Sequence, residues 1–327
     1  MTVDKGISVH LLLWESNILK IMKNFAIGVA LSTCFSASCY AIDPFVVGLR
    51  GNGKYGWRIQ FAQADSDAYP FSTSVGVITP LLGYWQGEEG LSVATIDRGV
   101  DGSVILKHPS KIAGIEIGLG YYVLAGGDFD GTLRSGIALA QRSKFGSSIS
   151  WRVVNDPLNS FSVYNVPGLG RSGDLPFYFR GGQGRDLLSV LRGSSNGTYR
   201  QVLAADVISG QRLVIRLSDP VRAVVKVSGI RLPDGAGGIF IQTQDDYRIY
   251  SAKGQMLVWG NSSQYSRDAV VVGDYFSDKG DEIAVLNSDE GQVAVLNPFS
   301  VSDRVVRVGS GDVLHDQATA LVVNHLW

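Results

Sequence analysis

The feature that most constrains this chain is a glycine-rich, acidic loop that recurs along it, each copy feeding a short apolar run. Gly127-Asp128-Phe129-Asp130-Gly131 precedes Ile137-Ala138-Leu139, and Gly273-Asp274-Tyr275-Phe276 precedes Asp281-Glu282-Ile283-Ala284-Val285. Weaker copies lie between them. Phe177-Tyr178-Phe179-Arg180-Gly181-Gly182 leads into Asp186-Leu187-Leu188, and the stretch from Gly229 to Gly235 leads into Ile239-Phe240-Ile241. Three fainter copies are Gly48 to Gly53 before Trp57, Gly83 to Gly87 before Leu91, and Gly309 to Asp312 before Ala320. The units recur at intervals of roughly 35–50 residues, the period of propellers and solenoids, in which one repeat is a small sheet.

Between the loops run segments of period-2 or β-branched character, bounded by turn residues. Ile149 to Val154 ends at Asn155-Asp156-Pro157, Asp246 to Tyr250 ends near Lys253-Gly254, and Gln292 to Leu296 ends at Asn297-Pro298. Forty glycines in 327 residues, without a Gly-X-Y period, fit many tight turns joining short strands. No amphipathic helix follows residue 41, and no Pro-rich or Gly/Ser-rich linker divides the chain. Residues 42–327 therefore read as one all-β domain.

The loops resemble the FG-GAP/VCBS repeat, whose typical form is Gly-Asp-Phe-Asp-Gly-Asp-Gly, then Asp, then Ile-Ala-Val. Residues 126–139 and 272–286 match best, and Ser195-Asn196-Gly197-Thr198-Tyr199 looks like the hairpin found later in such a blade. The resemblance implies a single β-propeller built from degenerate repeats and used for adhesion, lectin-like binding or as an interaction platform. The seven units lead us to expect seven blades, the last a composite of both chain ends, with six as the alternative.

The N-terminus reads as an address. From Met22, Lys23 is followed by an apolar run from Phe25 to Phe35, then small residues and Ala41 ahead of Asp43-Pro44. That is the pattern of a secretory signal peptide, interrupted too often by Glu15, Lys20 and Lys23 for a membrane span. Residues 1–41 are expected to be a leader whose true start is Met22. The mature chain is then exported, secreted or periplasmic, with no transmembrane segment. Cys34 and Cys39 lie inside the leader, so the mature part carries no cysteine. Leu31-Ser32-Thr33-Cys34 loosely resembles a lipobox, but Thr33 departs from it, and a lipoprotein is not the expectation.

The same loops offer closely spaced carboxylates, which suit a hard cation wanting six to eight oxygens. Asp128 and Asp130 in one loop, and Asp274, Asp278 and Glu282 in another, are the candidate calcium ligands. Thr132, Gly136 and Phe276 stand where further ligands would be. Solvated turn carboxylates bonding nearby N–H groups are the competing reading, so no cofactor is expected beyond calcium in these loops.

Other motifs dissolve in context. Gly51 to Gly56 and Gly168 to Gly173 match Gly-x-Gly-x-x-Gly, yet neither opens a helix that could hold a pyrophosphate. Gly193-Ser194-Ser195-Asn196-Gly197 matches a nucleophile elbow, but sits in a hairpin. His108, His315 and His325 have no zinc spacing, and Glu88, Glu89, Asp97 and Asp101 are not paired across a cleft by anything in the sequence. A net charge of −1 gives no footprint for nucleic acid. Trp57, Trp85, Trp151, Trp259, Tyr199 and Tyr247 recur near glycines, where they either pack blades or stack on ligands. The expected function is a non-enzymatic exported module that binds a glycan or an extracellular or periplasmic protein through propeller-face loops. A propeller-type hydrolase or lyase is the alternative.

Overall fold

A computed structural model describes residues 44–51, 54–61, 69–73, 79–85, 92–99, 101–108, 111–142, 147–181, 184–261, 270–275, 280–287, 292–300, 303–307 and 317–322. Side chains are described between residues 83 and 300, within these limits. The leader, with Met22 and both cysteines, lies outside them, and residues Ala41–Trp327 form one compact unit.

All described elements are strands. The first three are β1 (Pro44–Gly51), β2 (Lys54–Phe61) and β3 (Tyr69–Thr73). Blade 1 comprises β4 (Thr79–Gly83), β5 (Ser92–Arg98), β6 (Ser103–His108) and β7 (Lys111–Leu119). Blade 2 comprises β8 (Tyr122–Gly127), β9 (Gly136–Arg142), β10 (Ile149–Asn155) and β11 (Ser162–Val166). Blade 3 comprises β12 (Leu175–Arg180), β13 (Asp186–Gly193), β14 (Thr198–Ala205) and β15 (Arg212–Arg222). Blade 4 comprises β16 (Val224–Arg231), β17 (Gly237–Thr243), β18 (Asp246–Ser251) and β19 (Met256–Asn261). Blade 5 comprises β20 (Val270–Gly273), β21 (Glu282–Asn287), β22 (Gln292–Leu296) and β23 (Asp303–Arg307). Last comes β24 (Gln317–Val322).

Five blades are thus continuous antiparallel meanders, and a further four-stranded sheet of order β24-β1-β2-β3 joins the two chain ends. The fold is an all-β propeller. Pairing β24 with β1 antiparallel closes the ring and removes the free edges an open stack would leave. The expected count of seven, with six as alternative, gives way to five continuous blades and this composite sheet. The reason is positional. The Gly83, Gly127, Gly181, Arg231 and Gly273 loops all join the first strand of a blade to its second. Gly48 to Gly53 instead belongs to β1 and the β1–β2 hairpin, and 309–312 lies ahead of β24, outside the described residues. Both terminal motifs feed one sheet, so it was counted twice.

The period-2 pattern works with both faces buried in blades 2, 3 and 4, each of which is packed between two neighbours. On β9, Ile137 and Leu139 pack with Trp85, Leu106 and Ile117 of blade 1. Ala138 and Ala140 pack with Leu188 and Val190 of blade 3. Equivalent clusters fill the joints between blades 3 and 4 and between blades 4 and 5. Each fully buried aliphatic side chain contributes about 1.5–3 kcal/mol. Glycine at 127 has a steric cause: a Cβ there would lie 2.6 Å from the Phe129 ring, which folds back beneath it. Gly131, at φ 78°, makes the turn itself.

Candidate functional site

The acidic loops are joints. At the start of the second strand of blades 2, 3 and 5 stands a residue that clasps the loop of the preceding blade. Ser135 donates its backbone N–H to Tyr84 O at 3.2 Å and accepts the Tyr84 N–H on Oγ at 2.9 Å. Asp186 does the same to Asp128, at 2.8 Å and, on Oδ2, 2.7 Å. Asp281 does it to Arg231, at 2.9 and 2.6 Å. At the equivalent place between blades 3 and 4 stands Gly237, where a Cβ would fall 1.9 Å from Arg180 O. The backbones meet there too closely for any clasping side chain.

Arginines complete these joints. Arg180 Nη1 donates to Asp128 Oδ2 at 3.2 Å and lies 3.8 Å from Asp186 Oδ1. Arg231 pairs with Asp274 and, through Nε, lies 3.4 Å from Asp281 Oδ1. Within blades, Arg134 pairs with Asp156, and Arg185 with Asp206 at 2.7 Å. Burial raises Asp128 above its ordinary carboxyl range, outweighing Arg180. Burial also pushes Asp186 up to about 7 and Asp281 up to about 8, against the opposing pull of Arg180 and Arg231.

Those candidate calcium ligands that are described already have protein partners. Asp128 and Asp274 carry guanidinium partners on separate joints. Asp130 caps its own turn, accepting Thr132 N–H at 3.1 Å and Thr132 Oγ1 at 2.6 Å. Glu282 is fully buried and accepts the Tyr275 N–H at 2.7 Å. Asp278 lies outside the described residues. No group of three or more His, Cys, Asp or Glu with metal-binding proximity occurs among the described residues.

The remaining motifs settle into structure as well. Ser194 Oγ donates to Asn196 Oδ1 and Thr198 O in a hairpin turn completed by Gly197 at φ 73°, so Gly193–Gly197 is no elbow. Strand β12 follows the loop from Gly168 to Gly173. His108 is buried, which lowers its pKa. Asp97 pairs with Lys107 at 2.9 Å, and Asp101 accepts from Ser103. Glu88, Glu89, His315 and His325 lie outside the described residues.

Aromatic side chains separate sharply. Trp85 and Trp151 are fully buried, Tyr199 and Tyr247 half-buried, and the ring of Trp57 is outside the described side chains. Of the five described, Trp259 alone shows a large open ring, 60% exposed. It stands on β19, the outer strand of blade 4, directly across from Arg248 on β18.

An exposed tryptophan would ordinarily sample several rotamers, but this one is tied down. Its Nε1 donates to Asp246 Oδ2 at 2.9 Å. Arg248 donates to the same oxygen from Nη2 at 3.0 Å and from Nε at 3.3 Å. Thr243 Oγ1 donates to Asp246 Oδ1 at 2.8 Å. Burial alone would raise the Asp246 pKa, yet the hydrogen bonds from Arg248, Trp259 and Thr243 outweigh it and hold the carboxyl below its ordinary range. Gly260 follows the indole because a Cβ there would meet the Tyr247 ring at 2.3 Å. Arg248 Nη1 reaches across to Pro220 O at 3.3 Å, joining the cluster to the end of β15. The result is a fixed apolar plate, with Leu257 exposed beside it on the same face of β19.

Fold and site together define a β-propeller carrying an anchored aromatic plate on an outer strand. No family model matches the chain, and no curated protein matches it. Among solved structures it is similar to apo AztD from Citrobacter koseri, at 12% identity over 86% of this chain and 98% of that one, with a TM-score of 0.44. It is also similar to hydrazine synthase from Kuenenia stuttgartiensis, at 13% identity, coverage of 76% and 72%, and a TM-score of 0.42. A third is a 6-phosphogluconolactonase assignment from Bacteroides fragilis, at 11% identity, coverage of 88% and 99%, and a TM-score of 0.39. Likeness this remote carries no inference about activity.

Proposed function

We propose that this chain is an exported, non-enzymatic binding module of the FG-GAP/VCBS kind that recognises a glycan. The observation that carries the reading is the Trp259 plate. Its ring is exposed, and its orientation is fixed by Asp246. A pre-set ring loses little freedom when a sugar's C–H face stacks on it, so more of the contact energy appears as affinity. The Arg248–Asp246 pair beside it offers polar atoms to hydroxyl groups at the rim. The donors that hold Asp246 below its ordinary range keep it ionised, which suits an acceptor for sugar hydroxyl groups beside the ring. Export rests on the leader from Met22 to Ala41. The site lies on an outer strand, displaced from the face loops where the sequence alone directs attention.

The test is a glycan array probed with the chain and with W259A. We expect W259A to fold normally, since the ring is mostly outside the core, and to lose about tenfold or more in affinity for whichever sugars bind. Equal binding by both proteins would remove the plate from the recognition site, and a blank array would remove the glycan reading for the sugars displayed.

A further inference from the structure

Half-buried arginines in this chain come with carboxylates. Arg134, Arg180, Arg185, Arg192, Arg231 and Arg248 each pair with an aspartate. Arg152 is half-buried too. Among the described residues it has no carboxylate within ion-pair distance, and its Nε is buried without an acceptor. A guanidinium keeps its charge at any working pH, and leaving one in a joint with no counter-charge is costly.

Two blades build the position. Register places Arg152 of β10 between Leu139 of β9 and Asn165 of β11. Leu139 packs with Trp85, Leu106 and Ile117 of blade 1, so this row faces blade 1. On β7, Gly118 takes φ 141°, and a Cβ there would lie 3.3 Å from Arg152 Nη1 and 3.5 Å from Cζ. The guanidinium therefore rests against bare backbone of the facing blade. Neither side supplies an acid. Strands β8 to β11 contain none. Glu116, the one acid of β7, lies between Ile115 and Ile117, which pack into the joint, and so points away from it. Asn165 is exposed beside Arg152, at the cross-strand spacing of about 4.5–5.5 Å between Cβ atoms. Val163, 40% exposed, stands on the same face of β11.

We infer that the cleft between blades 1 and 2 binds a monocarboxylate, held by the terminal nitrogens of Arg152 with the Asn165 amide beside them. The buried Nε leaves the Nη1–Nη2 end of the guanidinium for a ligand, and a planar carboxylate matches that fork. Among the described side chains of β7 to β11 Arg152 is the one cation, which suits a single negative charge better than a doubly charged phosphate. The carboxylate belongs to a free acid or to a uronic acid within a glycan. This site is separate from the Trp259 plate on blade 4 and does not rest on it.

Acetate, glucuronate, the methyl ester of glucuronate and inorganic phosphate are titrated at constant ionic strength against the full chain, R152Q, R152K and N165A. The readouts are calorimetric affinity and the Arg152 Nε–H resonance, which is assigned by its absence from R152Q and persists because burial slows its exchange. The acid should shift that resonance and the ester should not. R152Q should weaken binding about tenfold or more, and R152K and N165A by less. If R152Q does not fold, R152K carries the test, since it keeps the charge without the fork; affinity equal to the parent's overturns the inference. Binding of glucuronate without acetate assigns the carboxylate to a sugar, and binding of both assigns recognition to the carboxylate itself; either upholds the site. An unchanged resonance up to about 0.1 M of both acids, about a hundred times weaker than a millimolar site, overturns it. So does equal binding of ester and acid, or phosphate bound more tightly than either acid.

Discussion

Asp186 reaches back across the joint between blades 2 and 3 and accepts the Asp128 N–H at 2.7 Å, while its own N–H donates to Asp128 O at 2.8 Å. This reciprocal pair turns a loop that looks like a ligand cage into a fastener. Asp281 repeats it on Arg231. Both carboxyls are almost wholly buried, and an ionised carboxylate in such a place is disfavoured unless strongly paired.

The pH dependence follows from those two groups. Asp186 faces Asp128 and Arg180; Asp281 faces Arg231, Asp274 and Glu282. Below about pH 4 each is neutral in both folded and unfolded chains. As pH rises, the unfolded chain ionises first, because the folded pKa values stand at about 7 and about 8. Stability from these groups is thus present at low pH and lost as pH climbs through 7 to 8. D186N keeps an acceptor for the Asp128 N–H without the charge. Its Tm relative to the parent should rise between pH 4 and pH 8 in calorimetry. A constant difference across that range would mean Asp186 is ionised throughout.

Gly237 marks the joint that cannot be clasped. With Arg180 O 1.9 Å from the place a Cβ would take, G237A must push β12 and β17 apart. Overpacking of this kind costs about 1–3 kcal/mol. Chemical denaturation should show a loss in that range, and a loss below about 0.5 kcal/mol would show that the joint yields easily. G235A, at a turn glycine with φ 82° and open space around it, separates strain at the turn from crowding at the joint.

Much of the fold was legible because it depends on local pattern. The runs from Ile149, Asp246 and Gln292 are β10, β18 and β22, bounded within a residue or so of where their turn residues stand. A sheet composed of both chain ends was expected and is present, but the blade count was not legible, because the glycine-rich stretches at Gly48 and Gly309 feed that one sheet and read as separate units. The clasps escaped for another reason. Ser135, Asp186 and Asp281 each act on a residue roughly fifty positions earlier, and a serine and an aspartate do one job. Trp259 could not be told from Trp85 or Trp151 by its neighbours, all three lying near glycines. Its exposure comes from standing on the outermost strand of its blade, a fact that needs the blade order first.

Calcium provides the last test. In a cation-binding loop the clustered carboxylates need an external positive charge. Here Arg180 supplies one to Asp128 and Arg231 supplies one to Asp274, and Asp130 is turned away to Thr132. A guanidinium already in place would have to be displaced before calcium could bind either aspartate. We therefore expect the same Tm in calcium and in chelator. The substitution R180A should destabilise at pH 8 and above, where Asp186 is ionised, because it leaves Asp128 and Asp186 facing one another without their cation; breaking such a buried charged pair costs about 3–5 kcal/mol. If calcium raises the Tm of R180A but not of the parent, the arginine is standing in for the metal. A calcium-raised Tm in the parent itself would show that the loops still bind the ion and that the ion pairs rearrange to admit it.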